Sequence, residues 1–373
     1  MVKIARKRRD LPSGIFRRLF MAGTVVAGVC LLVSSIQTIG DVIDNPVEPA
    51  SMSPGKSSQT TTTTVSYKTP LAYGTKDGKE RTGELVEQAI ATGFRHIVTG
   101  GHHEKHNESG VGIGWKASGI PRDELFLQTC FIPFDSRNHK DFKKQPSDPE
   151  TLPSAIEDQV RLSIEASLQN LQTIYIDAVL FNNFRAKLWD VDEILKAWKV
   201  LEEYVDRGIL GQLGLTSVHE VEWFEKFYNS TRIKPTIIQN RYHSNRQYDV
   251  PMEETFAKHD IWVQRFWLLN GSSNSGKMNK EMANQKGVTP EQLMLGFVMS
   301  MGSQTCLVGT KSLQHMEDDM DIAKCYPSLF SDDKERMEYS QKLGRRQPPD
   351  RPMPGRSGID FGSDTSPKCK SMH

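Results

Sequence analysis

Residues 155–183, AIEDQVRLSIEASLQNLQTIYIDAVLFNN, and residues 191–216, VDEILKAWKVLEEYVDRGILGQLGLT, decide the fold. Ala155–Leu171 sets Ile156, Val160, Ile164, Leu168 and Leu171 at spacings of three and four, the period of a helix with one apolar face. Tyr175–Phe181 follows as a short apolar run of strand length. The pattern then repeats. Val191–Val205 lines up Ile194, Leu195, Trp198, Leu201 and Val205, with Asp190 as N-cap and Gly208 as the stop. Gly211–Thr216 is the next strand. Two consecutive helix–strand units predict a parallel sheet covered by helices.

The same alternation extends in both directions. Apolar runs stand at Phe94–Thr99, Leu125–Phe131, Thr236–Asn240, Ile261–Trp267 and Thr305–Gly309, and an eighth is expected near Val65–Tyr73. Another helix opens at Pro290, followed by Leu293, Leu295, Val298 and Met299. Eight strands in residues 67–344 fit an α/β fold of the (β/α)8 TIM-barrel class, which typically needs about 250 residues. A doubly wound sheet is disfavoured, because no glycine-rich dinucleotide fingerprint follows an early strand.

Several strand ends carry specific motifs. They are Gly93-Phe94-Arg95-His96-Ile97, Asn107-Glu108-Ser109-Gly110-Val111-Gly112 and Leu125-Phe126-Leu127-Gln128-Thr129. Further on come Gly208-Ile209-Leu210-Gly211-Gln212-Leu213-Gly214, Gln239-Asn240-Arg241-Tyr242, Phe266-Trp267 and Gly309-Thr310-Lys311-Ser312. In this order and spacing, they make residues 67–344 resemble the aldo-keto reductase superfamily. The resemblance implies carbonyl reduction with NADP(H). In that family a Tyr gives the proton, a Lys–Asp pair tunes the Tyr, and a His orients the carbonyl, which is general acid catalysis with placed donors.

None of those four residue types is kept. The Asp position is Val98, the Tyr position His106, the Lys position Cys130 and the His position Asn182. Losing one member of a buried ion pair strands a charge at a cost of about 3–5 kcal/mol, whereas replacing both is often neutral. The barrel can therefore fold without its usual acid, and losing general acid catalysis typically costs ~10²–10⁴ in rate. His106 and Asn182 retain donors, so an active reductase using these two is the alternative. Cys130 has no nameable activating partner as a nucleophile.

By the same resemblance, Thr216, Ser217 and Gln239 match the positions that hold the nicotinamide carboxamide. Phe266 matches the residue that stacks on the ring. Lys311 and Ser312 match the grip on the 2′-phosphate, and Asp319 stands where the family has an Asn near the adenine. A further reading is a non-enzymatic lumenal binding or scaffold protein that has lost the cofactor too. The cluster His102, His103, Glu104 and His106 is one residue short of HExxH spacing, and no metal is expected.

The ends differ in composition. Residues 1–18 are strongly basic, and residues 19–40 form an uncharged apolar run of about the length that crosses a bilayer. Acidic residues follow. Basic before and acidic after predicts a single-pass type II signal anchor with a lumenal barrel in the secretory pathway. A cleavable signal peptide, with Ser34 and Ser35 near the cut, is the competing reading, and a cytosolic chain the third. Residues 41–66 read as a Ser/Thr-rich stalk and residues 345–373 as a disordered, proline-rich tail. Asn107, Asn229 and Asn270 open glycosylation sequons. The chain's net charge of +1 conceals an acidic barrel segment, which argues against a nucleic-acid partner. A small carbonyl compound is the ligand that the resemblance implies.

Overall fold

The computed structural model describes residues 68–102, 105–133, 155–183, 190–269, 280–302 and 304–346. The strands are β1 Leu71–Gly74, β2 His96–Val98, β3 Phe126–Phe131 and β4 Ile176–Asn182. They continue as β5 Leu210–Thr216, β6 Ile237–Arg241, β7 Trp262–Phe266 and β8 Gln304–Val308. Each pairs in parallel with the next, and β8 pairs with β1, so the sheet closes into a barrel. Closure leaves no strand edge unpaired.

The helices are α1 Thr82–Thr92, α2 Glu108–Ala117, α3 Ile156–Leu171, α4 Val191–Asp206 and α5 Val221–Ser230. They continue as α6 Glu253–Lys258, α7 Lys280–Gln285, α8 Pro290–Ser300, α9 Leu313–Leu329 and α10 Asp333–Leu343. The expected helix starts are present. Asp190 accepts from the Asp192 N–H at 2.6 Å, and Thr289 with Gln292 forms a capping box ahead of Pro290. Gly208 carries a φ of 70°, which suits the chain reversal into β5.

Two cores result from the alternation of side chains along each strand. The larger lies between strands and helices and includes Ile164, Trp198, Leu201, Phe224 and Phe297. A small apolar cluster of Phe126, Ala178, Leu180 and Ile237 makes up the second, with Cys130 packed against it. Buried glutamines accompany it. Gln128 on β3 and Gln264 on β7 exchange two amide hydrogen bonds of 2.8 and 2.7 Å. Gln128 also meets the His96 Nε2 at 3.2 Å.

Three expectations shift. The first strand begins at Leu71 rather than near Val65. Arg345, assigned from sequence to the tail, is buried and ion-paired with Glu253, so the packed body includes it. The Asn107 amide is already engaged: its oxygen caps α2 and its nitrogen donates to the Lys79 carbonyl at 2.9 Å. A glycan on that nitrogen would compete with its hydrogen bond to Lys79. The apolar run 19–40, the stalk 41–66, Asn270 and the tail beyond 346 lie outside the described residues. Among the described residues, no helix is long and apolar enough to cross a membrane.

Helix α2 sits against both neighbours through glycines. A Cβ on Gly114 would fall 2.4 Å from the Gly83 carbonyl oxygen of α1, and one on Gly112 2.3 Å from the Asn170 oxygen of α3. Backbone atoms cannot yield as side chains do, so overpacking here costs about 1–3 kcal/mol. Gly112→Ala should therefore lower the thermal denaturation midpoint clearly. Ile113→Ala, at a side chain 60% exposed between the two glycines, should leave it nearly unchanged.

Candidate active site at the C-terminal rim of the barrel

The C-terminal ends of parallel barrel strands are where such folds carry their sites, because the loops there converge. Val98 ends β2, Cys130 is the penultimate residue of β3, and Asn182 ends β4. His106 comes from the loop between β2 and α2. Its backbone N–H donates to the His102 carbonyl at 2.8 Å, which curls the loop back over the rim. A Cβ on Gly100 would lie 3.3 Å from the His106 ring and 3.6 Å from the Cβ of Cys130. The side chains of His106 and Cys130 therefore flank the same glycine. The His106 Nδ1 stands 3.5 Å from the Thr75 hydroxyl, which in turn donates to the Val98 carbonyl. Asn182 hydrogen-bonds the Cys130 thiol. His106, Cys130 and Asn182 thus adjoin, and the Val98 backbone carbonyl is tied to them through Thr75.

That patch carries no charge at neutral pH. Burial, reinforced by the nearby positive Lys76, lowers the His106 imidazole to about 4. Burial also pushes the Cys130 thiol up to about 12, with the Asn182 hydrogen bond opposing. Val98 is apolar and buried. The carboxylate next to the patch, Glu108, is sequestered. It accepts from Thr129 at 2.5 Å and from Ser167 at 3.0 and 3.1 Å, and burial raises it.

On the other side of the rim, Thr216 ends β5, Ser217 opens the turn after it, and Gln239 sits on the adjoining strand β6. Thr216 pairs with Gln239 in register, and the Ser217 N–H donates to the Gln239 carbonyl at 3.0 Å. Ser217 has a φ of 60°, a strained backbone for serine. The turn is held by Asn240, whose side chain accepts from the Val218 N–H at 2.9 Å and donates to the Val218 carbonyl at 2.6 Å. Asn240 is fixed by Asp249, which also binds His219 and the buried guanidinium of Arg265. The Gln239 amide nitrogen donates to Gln264 at 2.9 Å, leaving its oxygen as the acceptor for a ligand. Phe266 ends β7 and is partly exposed.

Lys311 and Ser312 stand apart, past β8. Lys311 is exposed and donates to the Asp77 carbonyl at 2.6 Å, and Ser312 caps α9. Asp319 lies within α9 and is buried, and burial with Asp318 nearby raises its carboxyl to about 7. It is a packed, easily neutralised group rather than an exposed contact.

The sequence reading missed Thr99, Asn183, Asn240, Asp249 and Gln264. Three buried atoms at the rim lack any hydrogen-bond partner among the described residues: the Thr99 Oγ1, the Asn183 Oδ1 and the Thr216 Oγ1. Buried polar atoms are normally paired, so unpaired ones at a rim suit a ligand. Polar residues inside otherwise apolar strand runs, such as Gln128 and Gln264, were the available signal. His103 and Glu104 lie outside the described residues. Among the described residues, no three His, Cys, Asp or Glu side chains gather as metal ligands.

The sequence profile of the aldo/keto reductase family matches residues 71–281, more than half of the chain. This chain belongs to that family. It is 26% identical over 227 residues to a methylglyoxal reductase of Yersinia pestis, covering 60% of this chain and 72% of that protein. It is 29% identical over 172 residues to a glyoxal reductase of Bacillus subtilis, covering 46% of this chain and 52% of that one. In fold it is similar to an aldo/keto reductase from Brucella melitensis, with a TM-score of 0.58 at 18% identity over 73% of this chain and 94% of the other. An aldo-keto reductase from Bombyx mori in complex with NADP superposes with a TM-score of 0.55 at 18% identity, over 73% and 88% of the two chains.

The lowered imidazole has a consequence for stability. In the unfolded chain His106 takes up a proton below about pH 6.5, but in the folded protein only near 4. Stability should therefore fall as pH drops from about 6.5 to about 4 and level off below that, by at most ~3 kcal/mol from this residue. Urea denaturation of His106→Asn should show a shallower loss across that window than the parent does.

Proposed function

We propose that the barrel binds NADP(H) at its C-terminal rim and reduces carbonyl compounds weakly or not at all. The observation that carries this is the patch of Val98, His106, Cys130 and Asn182, which holds no group able to release a proton readily near neutral pH. Bound NADPH would supply a hydride equivalent to a carbonyl carbon. The oxygen would then need a proton. A neutral imidazole and a thiol held near 12 are poor sources, and Val98 with Cys130 provides no ion pair to improve either. His106 and Asn182 can still donate hydrogen bonds to a carbonyl oxygen, which orients it without protonating it.

The cofactor half fits better. The unpartnered Thr216 hydroxyl and the Gln239 oxygen, fixed by Gln264, form a donor–acceptor pair of the kind a carboxamide needs. Phe266 offers a partly exposed ring for an aromatic face. Lys311 is a point charge for a phosphate. The named activities of the Yersinia and Bacillus relatives make small oxo-aldehydes the first carbonyls to try. The apolar run 19–40 is proposed to anchor the chain, with the barrel in the lumen. Protease protection of the N-terminus instead of the barrel would reverse that orientation.

NADPH titration of the full-length protein should quench intrinsic fluorescence saturably, and Thr216→Ala with Gln239→Ala should weaken binding. Methylglyoxal turnover should fall about 10²–10⁴ below that of an intact enzyme of this kind. Restoring all four groups together, with Val98→Asp, His106→Tyr, Cys130→Lys and Asn182→His, should raise it. Ordinary turnover that His106→Ala abolishes would establish the active-reductase reading instead. No NADPH binding would leave a binding or scaffold protein.

A further inference from the structure

Arg241 ends β6 and lies beside Phe266 in the sheet register. Its guanidinium sits 3.9 Å from the centroid of the Trp267 ring and 5.8 Å from that of Phe266. Stacking occupies the face of a guanidinium and leaves its in-plane N–H groups able to bind an oxyanion. The deeply buried arginines are each matched to a carboxylate: Arg265 to Asp249, Arg336 to Asp333 and Arg345 to Glu253. Arg241, half-buried at the rim, has no carboxylate within ion-pair distance among the described residues. Asp249, an acid on the adjoining loop, is committed to Arg265, His219 and Asn240.

Trp267 adds a second observation. Its φ of 66° is a conformation that bulky residues avoid, and its side chain remains 37% exposed. Such outliers persist where the surrounding structure holds them, and they cluster at ligand sites. Here the strained residue carries the ring on which the unmatched cation rests.

We propose that Arg241, laid flat on Trp267, is a receptor for an oxyanion at the barrel mouth. Two ligands present that chemistry, the diphosphate of a dinucleotide and the carboxylate of a 2-oxo acid. The first rests on the cofactor reading above, whereas the receptor itself can be tested with small anions.

The test uses the full-length protein, with inorganic pyrophosphate, phenylglyoxylate and NADPH each titrated against tryptophan emission. Pyrophosphate or phenylglyoxylate should change the emission saturably, and Trp267→Phe should diminish that change. Arg241→Met should weaken at least one anion about tenfold or more, as loss of a charge-assisted bond does. Weaker NADPH and pyrophosphate with unchanged phenylglyoxylate identifies the diphosphate, and the reverse identifies the carboxylate. Affinities for all three within twofold of the parent would overturn the receptor. Pyrophosphate binding that depends on Arg241 in a protein that ignores NADPH would sink the cofactor reading and keep the receptor. Should Arg241→Met not fold, Arg241→Gln removes the same charge and is read in the same way.

Discussion

The buried ion pair between Asp249 and Arg265 is the constraint on which the rim depends. Neither side chain reaches solvent to any extent. Arg265 rises from β7 and also donates to Gln304 of β8 at 2.9 Å. Asp249 reaches Asn240 of β6 and, through it, the backbone of Val218 just past β5. One charge pair therefore connects four consecutive strands to the turn that carries Ser217. Removing either partner alone would leave an uncompensated charge, at a cost of about 3–5 kcal/mol.

The contrast with the other half of the rim is physical. There, Cys130 and Val98 stand at the positions that the sequence resemblance would match to the family's Lys and Asp. Both members are gone together, so no charge is stranded, and burial does the rest by keeping His106 neutral and Cys130 protonated. The patch of His106, Cys130 and Asn182 is thus uncharged at neutral pH, whereas Arg241 brings a cation to the opposite side of the rim.

Much of this was legible in the sequence, for reasons that differ by level. Strands and helices could be read because apolar periodicity is local. The limits of β3 through β8 fall within a residue or so of the apolar runs. The first strand was misplaced because Val65–Tyr73 has no sharp boundary before Pro70. Arg345 looked like tail because its partner, Glu253, is 92 residues away. Val98, His106, Cys130 and Asn182 were singled out because each sits inside or next to a dense motif. Their chemistry could not be read: the shift of an imidazole to about 4 depends on what surrounds it. Gln264 and Asn240 were missed because their roles are contacts across the barrel or around a loop, and single-residue patterns do not encode these.

The reciprocal amide pair between Gln128 and Gln264 has a mechanical consequence. In an eight-stranded ring, β3 and β7 stand diametrically opposite. Two hydrogen bonds of 2.7 and 2.8 Å tie these walls together across the bore, with Gln239 fastened to the same point. The barrel is thus cross-braced along one diameter. Its cross-section is set by two side chains as well as by strand number. A shape change at the mouth would have to be taken up by the strands away from that brace.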